Sequence, residues 1–150
     1  MKENYEINKE TIAIIPLAKR KSKIIEEEED YIVLKSTTEI INDSCKYFGS
    51  SYAGRHEGTK SLTGINYKSP IIVEETTEMI FFPTSSPRFD NCCWISLRHI
   101  DKYEKENKKC KIIFKNGFLL ILDISYSSLQ NQILRSTLLQ SIIRDRKILK

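Results

Sequence analysis

The second half of the chain is dominated by short segments rich in isoleucine, valine, phenylalanine and tryptophan. Segments of this composition, separated by turn residues, are typical of β-strands. The candidates are residues 64–75, 78–84, 92–100, 109–115 and 118–124. Asn116-Gly117 lies between the last two and predicts a type I′ hairpin, because both residues tolerate positive φ. We therefore expect a mostly antiparallel sheet in this half of the chain, with a loop at "PTSSPRFDN" (83–91).

The first half adds further strands and a helix. Strand candidates lie at residues 11–16, in the centre of 21–30 and at 30–36, with the acidic run "EEEED" (26–30) at a hairpin tip or solvated edge. Apolar residues at helical spacing predict a helix over about 37–48. Ser36, Thr37 or Thr38 can cap its start, and Gly49 is suited to its end.

The C-terminal segment predicts a second, longer helix over about 127–147. It lacks Gly and Pro, carries a wide apolar face, and can be capped by Ser127 or Ser128. The predicted fold class is therefore α+β, with a mostly antiparallel sheet, one internal helix and a long C-terminal helix. A length of 150 residues indicates a single domain, residues 1–150.

Composition excludes several classes of protein. No apolar run reaches the roughly 18 residues that span a membrane, and the N-terminus lacks the apolar region of a secretory signal. We therefore expect a cytoplasmic protein that does not enter membranes. The four cysteines (45, 92, 93 and 110) lack the paired spacing of zinc ligands, so they predict reduced and mostly buried thiols. Neither a metal nor a cofactor is expected.

The stretch "GSSYAGRHEGT" (49–59) holds three of the five glycines, Gly49, Gly54 and Gly58, and predicts a structural loop. Loops that cradle nucleotide phosphates follow a strand and lead into a helix, whereas this stretch follows a predicted helix C-terminus. Ser50, Ser51 and His56 are neighbours in sequence, but a nucleophile-elbow motif is absent from the chain. A function other than enzymatic catalysis is therefore expected.

The charge pattern leaves two interpretations open. The net charge is +4, and basic residues are concentrated in 98–111 and 132–150. These segments form either a solvated surface or a side that faces a polyanion. The cations at the end of the C-terminal helix can likewise complement the helix dipole or bind a polyanion. They are Arg144, Arg146, Lys147 and Lys150.

Several short motifs occur in one order along the chain, and together they resemble the competence transcription factor family, ComK. The motifs are "DSCKYFGSSYAGRHEGT" (43–59), "KSPIIV" (68–73), "FFPTSSPR" (81–88), "CCWIS" (92–96) and "ISYSSLQNQILR" (124–135). The resemblance implies a DNA-binding activator of genes for DNA uptake and transformation. It implies recognition of paired A/T-rich boxes, largely through the minor groove, by a dimer or a tetramer that bends DNA and assists RNA polymerase.

The resemblance also carries expectations about location and length. It implies a nucleoid-associated protein, with regulated turnover through a proteolytic adaptor. The chain ends at Lys150, whereas longer members of the family continue well beyond this point. We therefore expect a short form, for which DNA binding carries over more directly than activation. The alternative is a protein-interaction relative that modulates a full-length regulator and binds DNA weakly by itself.

Five cations are the candidate DNA contacts. Arg55 is expected to enter or line a DNA groove, with Lys46 and Lys60 touching phosphates, and Arg88 and Arg98 are further candidates. The alternative for Arg55 is a structural one, in which it pairs with a carboxylate or carbonyl and holds the loop. Trp94 and Tyr52 are expected in the core rather than in contact with bases.

Overall fold

The computed structural model describes Met1–Ile148 of the chain. The helices are α1 (Thr37–Tyr47), α2 (Tyr52–Thr63) and α3 (Tyr126–Ile148). The first six strands are β1 (Thr11–Ala18), β2 (Lys21–Glu26), β3 (Asp30–Val33), β4 (Ile71–Glu74), β5 (Met79–Pro83) and β6 (Trp94–Ser96). A 3₁₀ turn (Leu97–His99) leads into β7 (Ile100–Glu106), β8 (Lys109–Phe114) and β9 (Leu119–Leu122). The α+β fold class is confirmed.

The strands form two antiparallel sheets. One has six strands in the order β3-β2-β1-β6-β5-β4, and the other has three in the order β7-β8-β9. The predicted segment 92–100 spans the boundary between them, because the 3₁₀ turn separates β6 from β7. The chain therefore passes from the large sheet to the small one within a segment that the composition suggested was one strand.

The large sheet has an apolar core on each face. On one face, Ile14, Ile24 and Trp94 pack against Ile41 and other residues of α1. On the other face, side chains of β1, β2, β5 and β6 pack against the small sheet and the start of α3. Farther along, α3 covers β4 and β5. The large sheet is thus the central layer, between α1 on one side and the small sheet with α3 on the other.

The two predicted helices are confirmed within a residue or two at each end. Ser36 caps α1 in a capping box with Glu39, and Gly49 follows the helix at φ +90°. The cap of α3 is Ser125, whose Oγ accepts a hydrogen bond from Ser128 N at 3.1 Å, so the prediction of Ser127 or Ser128 is wrong by two or three residues. Lys150 lies outside the described residues. No helix within residues 1–148 has the length and apolar character needed to cross a membrane.

The glycine-rich stretch is mostly helical, so its prediction as a loop is wrong from residue 52 onward. Gly54 and Gly58 lie inside α2, and only Gly49 lies in the turn that precedes it. Ser51 caps α2, and its Oγ accepts a hydrogen bond from Gly54 N at 3.0 Å. The sequence did not predict this helix because it has two glycines within about three turns, and glycine is among the weakest helix formers.

The hairpin at Asn116-Gly117 is present, but its turn type differs from the prediction. Gly117 N donates to Phe114 O at 2.8 Å, and Phe114 N donates to Phe118 O at 2.9 Å. Gly117 has φ +91°, whereas Asn116 is not among the residues with positive φ. This is a type I turn followed by a glycine bulge, the common three-residue alternative to a type I′ turn.

The cysteines are free thiols, and three of the four are buried. Cys92 packs into the core on the α1 side of the large sheet, whereas its neighbour Cys93 packs on the opposite side. Burial raises the pKa of the Cys92 thiol to about 11 and also raises the pKa of Cys93. The two thiols are therefore protonated components of separate cores.

Candidate nucleic-acid interface

Helix α2 begins in a fixed position beside α1. The turn between them contains Gly49, and Tyr52 N at the start of α2 donates to Asn42 Oδ1 of α1 at 2.9 Å. Thr59 anchors the other end, since its Oγ1 donates to Pro70 O at 2.7 Å. The helix is therefore held at both ends, although most of its side chains are polar and only Thr59 is buried.

Two recesses flank α2. Tyr52 and His56, four residues apart and so on one face, line the first recess. Arg55, Gly58 and Leu62 lie on the next face around the helix and line the second. We call the first the Arg88 groove and the second the Arg55 pocket, after the cation that each contains.

The Arg88 groove has a volume of about 310 Å³ and is basic and aromatic. Its walls come from the N-terminal part of α2, from the turn before β4 and from the β5–β6 loop. The lining residues are Thr38, Tyr52, His56, Asn66, Tyr67, Lys68, Ser86, Pro87 and Arg88. This set contains Lys68 and Arg88 but no carboxylate, so an anion entering the groove meets only cations and neutral polar groups.

A smaller recess adjoins the groove on the other side of Arg88. It is lined by the β5–β6 loop and by the turn between β1 and β2, and its charged residues are Lys19, Arg88 and Asp90. Phe89 belongs to the same lining. Arg88 thus shares one recess with Lys68 and another with Lys19, and these cations come from distant parts of the chain.

The turn that carries Lys68 is strained, and hydrogen bonds from α3 hold its backbone. Lys68 has φ +47°, a conformation that costs a residue other than glycine about 1–3 kcal/mol. Gln132 Nε2 donates to Lys68 O at 2.9 Å, and the guanidinium of Arg135 donates to Tyr67 O at 2.5 Å. Because these hydrogen bonds hold the backbone, Tyr67 and Lys68 are presented at the groove in one conformation.

The Arg55 pocket has a volume of about 320 Å³ and combines apolar walls with three cations and one carboxylate, that of Glu75. Leu62, Ile72 and Ile143 are apolar, and Arg146 and Lys147 reach the pocket from the end of α3. The Nε atom of Arg55 is buried and makes no hydrogen bond within residues 1–148. No hydrogen bond from this atom to a carboxylate or carbonyl is therefore present among those residues.

The other predicted contacts lie around these recesses rather than in them. Lys46 and Lys60 are exposed in the last turns of α1 and α2. Arg98 is exposed in the 3₁₀ turn, and its Nη1 donates to Thr77 O at 3.1 Å. The structure therefore places Arg55 on α2, Arg88 in a recess beside α2, and Arg98 next to the β4–β5 turn.

Two cations of the C-terminal helix are engaged within the fold. Arg144 donates two hydrogen bonds of 2.6 Å to the carboxylate of Glu78, and this contact lowers the pKa of Glu78. Lys147 Nζ donates to Glu75 O at 3.1 Å. These contacts fasten the β4–β5 turn to α3, so the two cations do more than complement the helix dipole.

Ser96, His99 and Glu27 are arranged like a catalytic triad, but they are not accessible. Ser96 Oγ lies 2.7 Å from His99 Nδ1, and His99 Nε2 lies 3.2 Å from Glu27 Oε1. Ser96 is only 1% exposed, so a substrate cannot approach its hydroxyl. The three residues join β6, the 3₁₀ turn and the β2–β3 turn, which is a structural role.

Sequence reasoning missed Lys19, Tyr67, Lys68 and Phe89 as components of this surface. The segments that carry them, "LAKRK" (17–21), "NYK" (66–68) and "PRF" (87–89), are separated by many residues. Each segment alone has the composition of an ordinary exposed turn. The one feature of the sequence that could have indicated them is common to all three segments: each has a cation among exposed loop residues.

Comparison with known proteins gives one family. The ComK family model, described as ComK protein, matches residues 2–148. The "Competence transcription factor" of Bacillus subtilis (strain 168) is 39% identical over 148 residues, which cover 96% of this chain and 77% of that protein. No solved structure matches the chain. The two matches confirm the resemblance indicated by the collinear motifs.

Proposed function

The chain belongs to the ComK protein family, and from this premise we propose that it is a transcription regulator that binds DNA and controls competence genes. The observation that carries the proposal is the family match over residues 2–148, together with 39% identity to a competence transcription factor. Its target is a pair of A/T-rich boxes, read largely through the minor groove. The protein acts as an activator rather than as an enzyme.

The Arg88 groove supports DNA binding by its charge and its position. A·T tracts have a narrow minor groove with enhanced negative potential, which attracts arginine and lysine side chains. Arg88 is exposed and lines one recess with Lys68 and another with Lys19. Since phosphate contacts dominate affinity, a groove lined by cations without a carboxylate is well suited to the edge of a duplex.

The adjacent face of α2 extends this surface. A helix with its side chains is about 10 Å across, so the Arg55 pocket lies close to the Arg88 groove. Arg55 lines the DNA-binding surface there together with Arg146 and Lys147, so three cations line this recess. Lys46 and Lys60 add phosphate contacts near the helix ends, and Arg98 is a peripheral contact.

The small net charge of each chain favours a homo-oligomer on DNA. A net charge of +4 supplies few phosphate contacts, so a homo-oligomer, a dimer or a tetramer on DNA, multiplies them. Residues 1–150 form one DNA-binding domain. By the same family premise, RNA polymerase and a proteolytic adaptor are partners, and the protein works in the cytoplasm at the nucleoid.

A mobility-shift titration with a duplex carrying two A/T-rich boxes tests the proposal. Arg88→Ala should weaken binding by about tenfold to a hundredfold, because it removes a cation from the centre of the groove. Arg55→Ala should also weaken binding, and both variants should keep their thermal midpoints. Lys109→Ala is the matched control, since it removes one exposed cation from the small sheet.

The outcomes of this titration distinguish whether the protein binds DNA from which surface of the protein binds it. If Lys109→Ala weakens binding and Arg88→Ala does not, the interface lies on the β7–β8 hairpin instead. If a minor-groove ligand fails to compete, recognition is through the major groove. If the wild-type protein gives no shift at low salt, the DNA-binding function is wrong and a protein-interaction relative is favoured.

A further inference from the structure

We propose that Phe89 is a wedge that inserts between base pairs from the minor groove, beside Arg88, and kinks the duplex. The inference rests on the proposed DNA-binding function and adds a mode of recognition to it. Proteins that bend DNA from the minor groove often insert an apolar side chain between base steps. The wedge needs an exposed apolar side chain, a rigid backbone beneath it and cations close to it.

Exposure is the first requirement. Phe89 is 59% exposed, whereas Trp94 and the other large aromatic side chains of the neighbouring strands are buried. It is the residue directly after Arg88 and contributes to the recess that also contains Lys19. An apolar ring that remains in water beside two cations is available to a partner that offers both stacked bases and phosphates.

The backbone of Phe89 is fixed on both sides. Its N–H donates to Ser86 O at 2.9 Å, which closes a β-turn with Pro87 at the second position. Its carbonyl accepts from Cys92 N at 3.3 Å, which closes the next turn. Because both polar groups of the residue are engaged, little backbone entropy is lost when the ring inserts.

The loop is also fastened to the rest of the fold. Thr38 Oγ1 of α1 donates to Pro87 O at 2.9 Å, and Cys92, which ends the second turn, is fully buried. Force applied to the tip is therefore transmitted to α1 and the large sheet rather than absorbed by a flexible loop. A wedge requires this stiffness, since it must hold two base pairs apart.

The charged residues around the Phe89 ring also favour its insertion into the minor groove. Arg88 and Lys19 outnumber Asp90, the carboxylate that lines the same recess. Arginine enters a narrow A·T minor groove readily, and it would bring the adjoining Phe89 to the base edges. Pyrimidine–purine steps such as TA unstack most easily, so the wedge would add sequence preference without a hydrogen bond to a base.

The test compares Phe89→Ala with Phe89→Leu on the duplex with two A/T-rich boxes. The bend is measured by energy transfer between dyes at the DNA ends, and unstacking by the fluorescence of 2-aminopurine at successive steps. Phe89→Ala should abolish the bend and the fluorescence rise, and should weaken binding by about tenfold to a hundredfold. Phe89→Leu should keep most of both signals, because leucine also serves as a wedge.

Leu134→Ala is the matched control, because Leu134 is 62% exposed on α3 and outside the recesses described above. It should leave the bend and the fluorescence unchanged. The wedge is excluded if the Phe89→Ala complex bends and unstacks DNA as the wild-type complex does. In that case the wedge fails while the proposed DNA-binding function stands. If the wild-type protein does not bind the duplex at all, the proposed function fails and the wedge fails with it. The two failures are therefore distinguishable.

Discussion

His99 is the residue whose environment most clearly affects stability. Its ring is 6% exposed and joins Ser96 to Glu27. Burial lowers the pKa of His99, and the nearby charge of Arg98 lowers it further. Contacts with Glu27 and with the backbone of Lys9 oppose the shift without reversing it. His99 is therefore neutral in the folded protein at neutral pH.

The lowered pKa predicts that the protein loses stability as the pH falls below about 6.5. Between the folded pKa and the usual value of about 6.5, the unfolded chain binds more protons than the folded chain. The stabilisation from neutral His99 is complete above pH of about 6.5 and is lost as the pH falls through the folded pKa. Urea unfolding at a series of pH values should show this decline, and His99→Gln should make the profile flatter. An equally steep decline in the variant would contradict the assignment.

At the scale of elements, α2 is a helix that its own composition disfavours. Gly54 and Gly58 lie inside it, and each costs a helix about 1 kcal/mol relative to alanine. Their surroundings differ. A Cβ at Gly54 would lie 2.9 Å from Ser50 Oγ, whereas a Cβ at Gly58 would meet no atom within 4 Å. Packing therefore accounts for a glycine at position 54 but not at position 58.

Gly58→Ala should stabilise the protein by about 0.5–1 kcal/mol, because it removes the entropic cost of glycine without a clash. Chemical denaturation measures the change, and Gly54→Ala is the matched control, in which the contact with Ser50 should cancel the gain. If DNA approaches the Arg55 pocket closely, Gly58→Ala should also weaken binding while raising stability. A destabilised Gly58→Ala protein would contradict the helix geometry at this position.

At the scale of the whole molecule, α3 joins the separate parts of the fold. Leu129 packs between the two sheets, and Leu139 and Ile143 pack on β4 and β5. Between these contacts, Gln132 is 2% exposed, and its Nε2 donates to Pro83 O at 2.7 Å and to Lys68 O at 2.9 Å. One side chain thus connects α3, the end of β5 and the Arg88 groove.

Gln132→Leu should destabilise the protein by about 1–3 kcal/mol, because the buried Pro83 O loses its donor and Lys68 O keeps only the longer contact of 3.4 Å from Arg135. The same substitution should weaken DNA binding at temperatures where the protein remains folded, since it releases the strained Lys68 turn. Gln130→Leu, at an exposed position of α3, is the control for both measurements. Reduced stability with unchanged DNA binding would show that the Lys68 turn does not contribute to the interface.

The amino-acid sequence was sufficient to predict the helices and the hairpin that are stabilised by local interactions. Ser36 and Gly49 mark the ends of α1, apolar spacing marks α3, and Asn116-Gly117 marks a hairpin, because caps, periodicity and turns act within a few residues. The collinear motifs also identified the family. What the sequence could not determine depends on contacts between distant residues. Helix α2 is one such feature, because its stability comes from anchors such as Thr59 on Pro70.

The candidate interface likewise depends on contacts between residues that are far apart in the chain. Lys19, Lys68 and Arg88 are far apart in the chain, and they converge because β1 pairs with β6 while Gln132 and Arg135 of α3 hold the Lys68 turn. Which cations face a recess, and which fasten the fold as Arg144 does with Glu78, is likewise a matter of packing. Charge counting identified basic segments, but side-chain direction is set by the cores beneath them.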